Sequence, residues 1–407
     1  MQGRYTPVTV KERFLRYVTI DTGADETSGT HPSSQKQWQL AHLLESELLA
    51  MGAQDVRVSP DCYVYASIPA NEDGQPVIGL IAHMDTSPSV PTGPVNARAV
   101  LYEGGDLPVG NGVVMSEAAF ESLARHRGHE LIVTDGTTLL GGDDKAGVAE
   151  IMTAAEMLLR DPAIRHGKVM IGFTPDEEIG QGADAFDVKG FGADFAYTVD
   201  GGAPGEYECE NFNACTARVA VKGFNIHPGS AKNKMRNASL MAMAFARMLP
   251  ESETPATTEL REGFYHLCDM QGDESAAALH YIVRDHDRAR FEARKARLSA
   301  IAAYVNGVYG EGSFTLTLTD SYFNMKEVID RYPEVTERAL AAIRAVGDEP
   351  TFVAIRGGTD GARLSFEGLP CPNLPTGAYN MHGVMEYASV PEMERIARML
   401  VELVRAR

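Results

Sequence analysis

The stretch VIGLIAHMDTS, residues 77–87, decides the fold of this chain. The run VIGLIA ahead of the histidine is continuously apolar, which is typical of a strand covered on both faces in a parallel sheet. His83 and Asp85 come where that run ends. An open α/β sheet collects its ligand groups at the carboxyl ends of its strands, so this stretch predicts a strand and one edge of a site.

Acidic residues and histidines follow other apolar runs in the same way. The runs are LLGGDDKAG (139–147), IGFTPDEEIG (171–180), AYTVDGG (196–202) and AYNMHG (378–383). Because they recur within an alternating strand and helix pattern, we expect their polar residues to converge on one site. The candidates are His83, Asp85, Asp143, Asp144, Glu177, Glu178, Asp200 and His382.

Composition limits the class of protein. A chain of 407 residues is long enough for two domains, and its net charge of −19 argues against nucleic-acid binding, which needs a basic surface. The five cysteines form no C-x-x-C pair, and no apolar stretch reaches the ~20 residues of a membrane span. We therefore expect a cytoplasmic protein with no membrane or nucleic-acid partner.

The order of predicted elements indicates a discontinuous domain. Residues 1–212 and 320–407 alternate strands and helices, which predicts a doubly wound α/β catalytic domain with a mostly parallel sheet. Residues 213–319 follow the order β-α-β-β-α-β, typical of a ferredoxin-like α+β module, which we interpret as an inserted lid. Helices are expected at 34–52 and 232–249, whereas 87–136 has weak periodicity and is expected to be a long excursion.

Each candidate residue also has an ordinary structural interpretation. A lone histidine is more often a satisfied buried residue, one aspartate before a helix is usually a cap, and a charged pair is usually solvated. The spacing of these residues favours a functional site over these ordinary roles. In His83-x-Asp85 both side chains project to the same side of an extended chain, so the carboxylate can orient the imidazole. The adjacent acidic residues would repel each other unless a cation lay between or beside them.

Sorted by role, the candidates predict two metal ions that share one bridging ligand. His83 and Asp200 hold one ion, Glu178 and His382 hold the other, and Asp143 bridges them. This nitrogen and oxygen set suits zinc, Zn²⁺, at two ions per subunit. Glu177 remains as the general base for a metal-activated water, which predicts amide hydrolysis. Asp144 has no assigned role.

The motifs together resemble the di-zinc co-catalytic metallopeptidase family that includes aminoacylases and desuccinylases, and within it the peptidase T branch. The resemblance spans nearly the whole chain, from RFLRYVTIDT (13–22) to LPTGAYNMHG (374–383). It implies the same five zinc ligands, Asp85 as the orienting carboxylate and Glu177 as the proton acceptor. It also implies a cis peptide bond between Asp143 and Asp144, and an aminopeptidase that acts on tripeptides.

The resemblance further implies that His227, in FNIHPGSAKNKMRNA (224–238), contacts the substrate. From the sequence alone, His227 before Pro228 is equally a turn residue. Arg284 and Arg356 are candidates for the carboxylate of the substrate, or for ion pairs with Asp285 and Asp360. A dipeptidase, carboxypeptidase or deacylase on the same scaffold, or a catalytically silent binding protein, remains an alternative. The inserted domain could also form a homodimer.

Overall fold

The computed structural model describes residues 7–407, which fall into two compact units. Among these residues, unit 1 holds those up to Cys209 together with Glu327–Val353 and Thr359–Arg407. Unit 2 consists of Glu210–Lys326 and Ala354–Gly358. Unit 1 is therefore built from three separate lengths of chain.

The elements are numbered in chain order. The helices are α1 (Val10–Val18), α2 (Gln37–Met51), α3 (Glu121–Ala124), α4 (Gly142–Arg160), α5 (Val188–Phe191), α6 (Ala238–Ala246), α7 (Arg288–Tyr309), α8 (Lys326–Ile329), α9 (Pro333–Ala345), α10 (Asp360–Phe366) and α11 (Val390–Val404). The first nine strands are β1 (Gln54–Val58), β2 (Val64–Ile68), β3 (Ile78–His83), β4 (Arg98–Leu101), β5 (Leu107–Gly110), β6 (Val113–Met115), β7 (Glu130–Val133), β8 (Val169–Thr174) and β9 (Phe195–Gly201). The others are β10 (Glu206–Asn211), β11 (Asn213–Lys222), β12 (Phe264–Gly272), β13 (Ala276–Asp285), β14 (Phe314–Tyr322), β15 (Thr351–Ile355), β16 (Asn373–Pro375), β17 (Ala378–Tyr379) and β18 (Tyr387–Ser389).

The main sheet has eight strands in the order β1-β2-β8-β3-β9-β16-β10-β15. Its centre is parallel, because β3 pairs in parallel with both β8 and β9, and β9 pairs in parallel with β16. Antiparallel pairs flank this centre. Every residue of β3 is buried, as the apolar run that contains it predicts for a strand covered on both faces. The predicted α/β class with a mostly parallel sheet is confirmed.

Helix α4 packs against the centre of this sheet. It contacts β3 and β9, and it also contacts α1 and α11. Helix α4 and strand β9 approach closely at Gly147. A Cβ atom added there would lie 1.9 Å from the main-chain oxygen of Val199, so this packing requires glycine. The first turn of α4 carries Asp143 and Asp144, whose backbone angles are not helical. The helix thus brings its acidic start to the end of the sheet.

Unit 2 is a two-layer α+β module. Its sheet has the order β12-β13-β11-β14 with antiparallel pairing throughout. Alternate residues of β11 are buried, and Ala217, Val219 and Val221 form a core with Phe245 of α6 and Phe291 of α7. The strand order and the β-α-β-β-α-β succession are those of the predicted ferredoxin-like module.

Two predicted features of secondary structure were wrong. Residues 87–136, expected to be an excursion, contain four strands: β7 and β4 belong to the sheet β17-β18-β7-β4, and β5 pairs with β6. The helix expected at 232–249 is shorter, because Asn237 caps it by accepting a hydrogen bond from the Leu240 main-chain N–H at 3.1 Å. Within residues 7–407, no helix has both the length and the apolar character of a membrane span.

Candidate metal centre

His83 ends β3, and its ring is held from two sides. Its Nδ1 lies 3.0 Å from the main-chain oxygen of Asp85 and 3.4 Å from the Asp85 carboxylate. The Asp85 carboxylate also accepts hydrogen bonds from the main-chain N–H groups of Glu177 and Glu178, at 3.0 and 3.1 Å. Asp85 therefore links the histidine to the turn that carries both glutamates. Nε2 of His83 is left to face the other acidic residues.

The Asp143 carboxylate lies between two histidines. Its Oδ1 is 2.8 Å from Nε2 of His83, and its Oδ2 is 3.0 Å from Nε2 of His382. Each oxygen thus faces a different imidazole. A carboxylate in this position can bind two cations at once, one with each oxygen.

The two remaining predicted ligands, Asp200 and Glu178, each lie beside one of the histidines. Oδ1 of Asp200 is 3.5 Å from Nε2 of His83, and Oε2 of Glu178 is 3.0 Å from Nε2 of His382. The second oxygen of Glu178 is buried and has no hydrogen-bond partner among the described residues. An unsatisfied carboxylate oxygen beside two imidazoles and two further carboxylates is well suited to a divalent cation. The structure brings all five predicted ligands together.

Asp144 lies in the same cluster. Its carboxylate accepts hydrogen bonds from the main-chain N–H of His83 at 3.1 Å and of Gly147 at 3.2 Å. It also forms a potential three-ligand group with His83 and Asp200. The peptide bond between Asp143 and Asp144 is cis, as the resemblance implies. Asp144 therefore ties the end of β3 to the start of α4.

The crowding of acidic groups changes their pKa values. Burial, with Asp200 nearby, raises the pKa of Glu177 well above its usual range. Burial also raises the pKa of Asp200, to about 7. The pKa of His382 rises to about 10, because Asp143 and Glu178 accept hydrogen bonds from its ring. So many buried carboxylates need a counter-charge, which protons or a divalent cation can supply.

Two buried acids that the sequence interpretation missed support the centre. Asp176 accepts hydrogen bonds from the main-chain N–H of Ser33 at 2.6 Å and from the Gln37 side chain at 2.6 Å. Glu386 accepts from the main-chain N–H groups of Leu140, Gly141 and Asp143 at 2.7 to 3.1 Å. Asp176 adjoins Glu177 in the sequence and could have been noticed. Nothing in the sequence around Glu386 relates it to a turn more than 240 residues earlier.

Comparison with known proteins identifies the family of this chain. Residues 128–406 match the model of peptidase family M20/M25/M40. The chain belongs to this family. It is 51% identical over 398 residues to Peptidase T of Clostridium perfringens, covering 97% of this chain and 98% of that protein. It is 50% identical over 398 residues to Peptidase T of Geobacillus kaustophilus, covering 97% of each chain.

Solved structures of this family share the fold. Aminopeptidase PepT from Bacillus cereus aligns with a TM-score of 0.77 at 21% identity, covering 97% of each chain. The YXEP protein of Bacillus subtilis, a dinuclear metal-binding peptidase, aligns with a TM-score of 0.66 at 16% identity, covering 97% of this chain and 96% of that one. The fold of this chain is therefore the one seen in these two structures.

The other three predicted residues lie in unit 2. His227 is exposed, and its Nδ1 accepts a hydrogen bond from the Gly229 main-chain N–H at 3.1 Å. It lines a cavity of about 680 Å³ together with Asn225, Met235 and Glu274. The turn role considered for His227 therefore does not prevent its Nε2 from meeting a ligand.

The two arginines differ in how strongly they are held. Arg356 donates to the main-chain oxygens of Leu260 at 2.7 Å and Glu262 at 3.2 Å, so its guanidinium is already well bonded. Arg284 donates to the adjacent Val283 oxygen at 3.1 Å and lies 5.3 Å from the centre of the Tyr322 ring. These contacts of Arg284 and Arg356 are not the ion pairs with Asp285 and Asp360 that were considered as alternatives.

Proposed function

We propose that this member of the M20 family is a tripeptide aminopeptidase that uses two zinc ions. The observation that carries the proposal is the Asp143 carboxylate, whose two oxygens face Nε2 of His83 and Nε2 of His382. His83 and Asp200 would hold one ion, and Glu178 and His382 the other. The high identity to proteins named Peptidase T supports the substrate class.

When bound, the metal pair supplies a nucleophilic water at neutral pH and polarises the scissile carbonyl. Glu177 accepts a proton from the attacking water and returns it to the leaving amide nitrogen. Its raised pKa suits this exchange, because a base with a pKa nearer the working pH passes a proton in both directions. Asp85 holds Glu177 by its main-chain N–H, so the base stays beside the water.

Unit 2 corresponds in this proposal to the inserted lid domain. His227 contacts the substrate, and its exposed ring beside a cavity supports the assignment. Arg284 is the better candidate for the substrate carboxylate, because Arg356 already donates to two main-chain oxygens. Among residues 7–407 no two cysteines form a disulfide bond, which fits a cytoplasmic location. A homodimer through unit 2 is part of the same proposal.

A matched substrate panel tests the function. The metal-free protein is assayed with and without added zinc on a dipeptide, the corresponding tripeptide and the N-acetylated tripeptide. We expect zinc-dependent release of the amino-terminal residue from the tripeptide alone, because an aminopeptidase requires the free amino group. Equal or faster hydrolysis of the acetylated peptide would replace the proposal by a deacylase or carboxypeptidase. Faster hydrolysis of the dipeptide would indicate a dipeptidase.

A further inference from the structure

A second cluster of metal-ligand side chains lies in unit 1 outside the residues of the candidate centre. His126 and His129 lie in the segment between α3 and β7, and Glu392 lies in the first turn of α11. One ring nitrogen of each histidine and one carboxylate oxygen of Glu392 all lie within 4.8 Å of one another. His126 and Glu392 are 1% and 8% exposed, so the cluster is not a group of solvated surface charges.

The spacing of the cluster suits a tetrahedral cation. Nε2 of His126 is 3.2 Å from Oε2 of Glu392. In a tetrahedral zinc site with bonds of about 2.1 Å, neighbouring ligand atoms are about 3.4 Å apart. Two histidines and one glutamate form a known zinc ligand set that leaves a fourth position for water. His126 and Glu392 are therefore already at the spacing of two zinc ligands, and the His129 ligand atom lies within 4.8 Å of both.

Neighbouring hydroxyl groups orient the three side chains. Tyr379 donates to Oε2 of Glu392 at 2.7 Å, and the Tyr387 hydroxyl lies 3.2 Å from Nδ1 of His126. Ser389 lies 2.9 Å from Nδ1 of His129 through its hydroxyl oxygen. Such contacts to the ligand side chains are typical of metal sites, where they fix the ring orientation and the tautomer.

A hydrogen-bond network without an ion is the competing interpretation. Glu392, His126 and the two tyrosines form such a network, and Nη2 of Arg395 is 4.0 Å from the other oxygen of Glu392. His129 distinguishes the two interpretations. The hydrogen bond of His129 goes to Ser389, so the network around Glu392 does not need His129. A metal site with three protein ligands does need it.

We propose that His126, His129 and Glu392 bind one divalent cation of the zinc type, in addition to the proposed metal pair. The ion would join the first turn of α11 to the segment before β7. Through the bond from Tyr379 to Glu392 it would also hold β17, which pairs with β18 to form the hairpin whose loop contains His382. The site would thus stabilise unit 1 next to the candidate centre.

The test compares bound metal in variants of the full chain. Metal-free protein is loaded with zinc, freed of excess metal by gel filtration and analysed by elemental mass spectrometry. We expect three ions per chain in the unaltered protein and one fewer in His129→Asn. His42→Asn, which removes an exposed histidine beside Glu45, is the matched control and should bind as many ions as the unaltered protein. Glu392→Gln gives a second measurement of the same loss.

The difference between variants separates this proposal from the proposed function. If the metal pair were absent, the totals would fall equally in the unaltered protein and in His129→Asn, and the difference of one ion would remain. A His83→Ala, His382→Ala double variant should still gain thermal stability on addition of zinc, and adding His129→Asn should remove that gain. Equal metal content in the unaltered protein, His129→Asn and Glu392→Gln would overturn the proposal.

Discussion

Two neighbouring glutamates share one turn but differ in what they face. Oε2 of Glu178 lies 3.0 Å from His382, whereas Glu177 has a pKa raised by burial and by Asp200. The main-chain N–H of each is fixed by the same Asp85 carboxylate. In the proposed function, Glu178 is the metal ligand of this pair and Glu177 is the proton-transfer residue.

This separation gives a prediction at the residue scale. Glu177→Gln keeps the size of the side chain and the main-chain bond to Asp85 but removes the base. We expect turnover to fall by about 10²–10⁴-fold, with bound zinc nearly unchanged. Steady-state kinetics and elemental analysis measure the two quantities. Glu178→Gln is the matched control and should lose metal. A Glu177→Gln variant with normal turnover would contradict the role of Glu177.

At the scale of elements, the centre depends on how closely α4 approaches β9. The ideal Cβ position of Gly147 is 1.9 Å from the Val199 main-chain oxygen and 2.5 Å from Oδ1 of Asp144. Only glycine permits this approach, and Val199 precedes Asp200 in the same strand. The distance between helix and strand therefore sets the positions of acidic residues on both.

Gly147→Ala tests this dependence. Although alanine usually favours a helix, the added methyl group must displace a strand, so we expect a loss of about 1–3 kcal/mol in the free energy of unfolding. Zinc affinity should fall as well. Gly307→Ala in α7 is the control: no atom lies within 4 Å of its Cβ position, and it should stabilise the chain by about 0.5–1 kcal/mol. Urea unfolding measures both, and an unchanged Gly147→Ala would be inconsistent with the packing.

Sequence patterns predicted long elements better than short ones. The strand expected at VIGLIA and the helix expected at 34–52 are both present, as β3 and α2. Strands β4 to β7 have three or four residues each, too few for a pattern, and β7 pairs both with β4 and with β18, which lies more than 250 residues later. Pairing over that distance depends on the tertiary fold, which local sequence does not encode.

The same limit applies to the site. Ligands at strand ends could be predicted because the ends of parallel strands converge, and the structure does bring together His83 at the end of β3 and Asp200 near the end of β9. Glu386 could not be predicted, because its role is to accept main-chain N–H groups of the turn before α4. Residues that hold a backbone turn have no characteristic spacing from it.

At the scale of the whole molecule, several acidic residues of unit 1 lie near the VDGG turn, residues 199–202. Glu208 lies in β10, and burial, together with Glu206 and Asp200, raises its pKa to about 8. Its side chain accepts a hydrogen bond from Asn373 at 3.3 Å. The folded state therefore binds a proton at this residue at pH values where the unfolded chain has lost it.

The sign of the resulting pH dependence follows from linkage. Because the folded pKa is above the unfolded value, the contribution of Glu208 to stability is complete below about pH 4.5 and decreases as the pH rises towards about 8. In Glu208→Gln this decrease should be absent. We expect the stability difference between variant and unaltered protein to change by about 1 kcal/mol or more between pH 5 and 8. If the urea midpoints of the variant and of the unaltered protein change in parallel between pH 5 and 8, this expectation is wrong.

In the proposed metal centre, the Asp143 carboxylate would be shared by two metal ions within a discontinuous unit. Diffraction from zinc-loaded crystals at the zinc absorption edge tests this most directly. At this centre we predict two anomalous peaks about 3.5–4 Å apart, with Asp143 bound to both, His83 and Asp200 on one, and Glu178 and His382 on the other. A single peak at this centre, or two peaks with Asp143 bound to only one of them, would contradict the account.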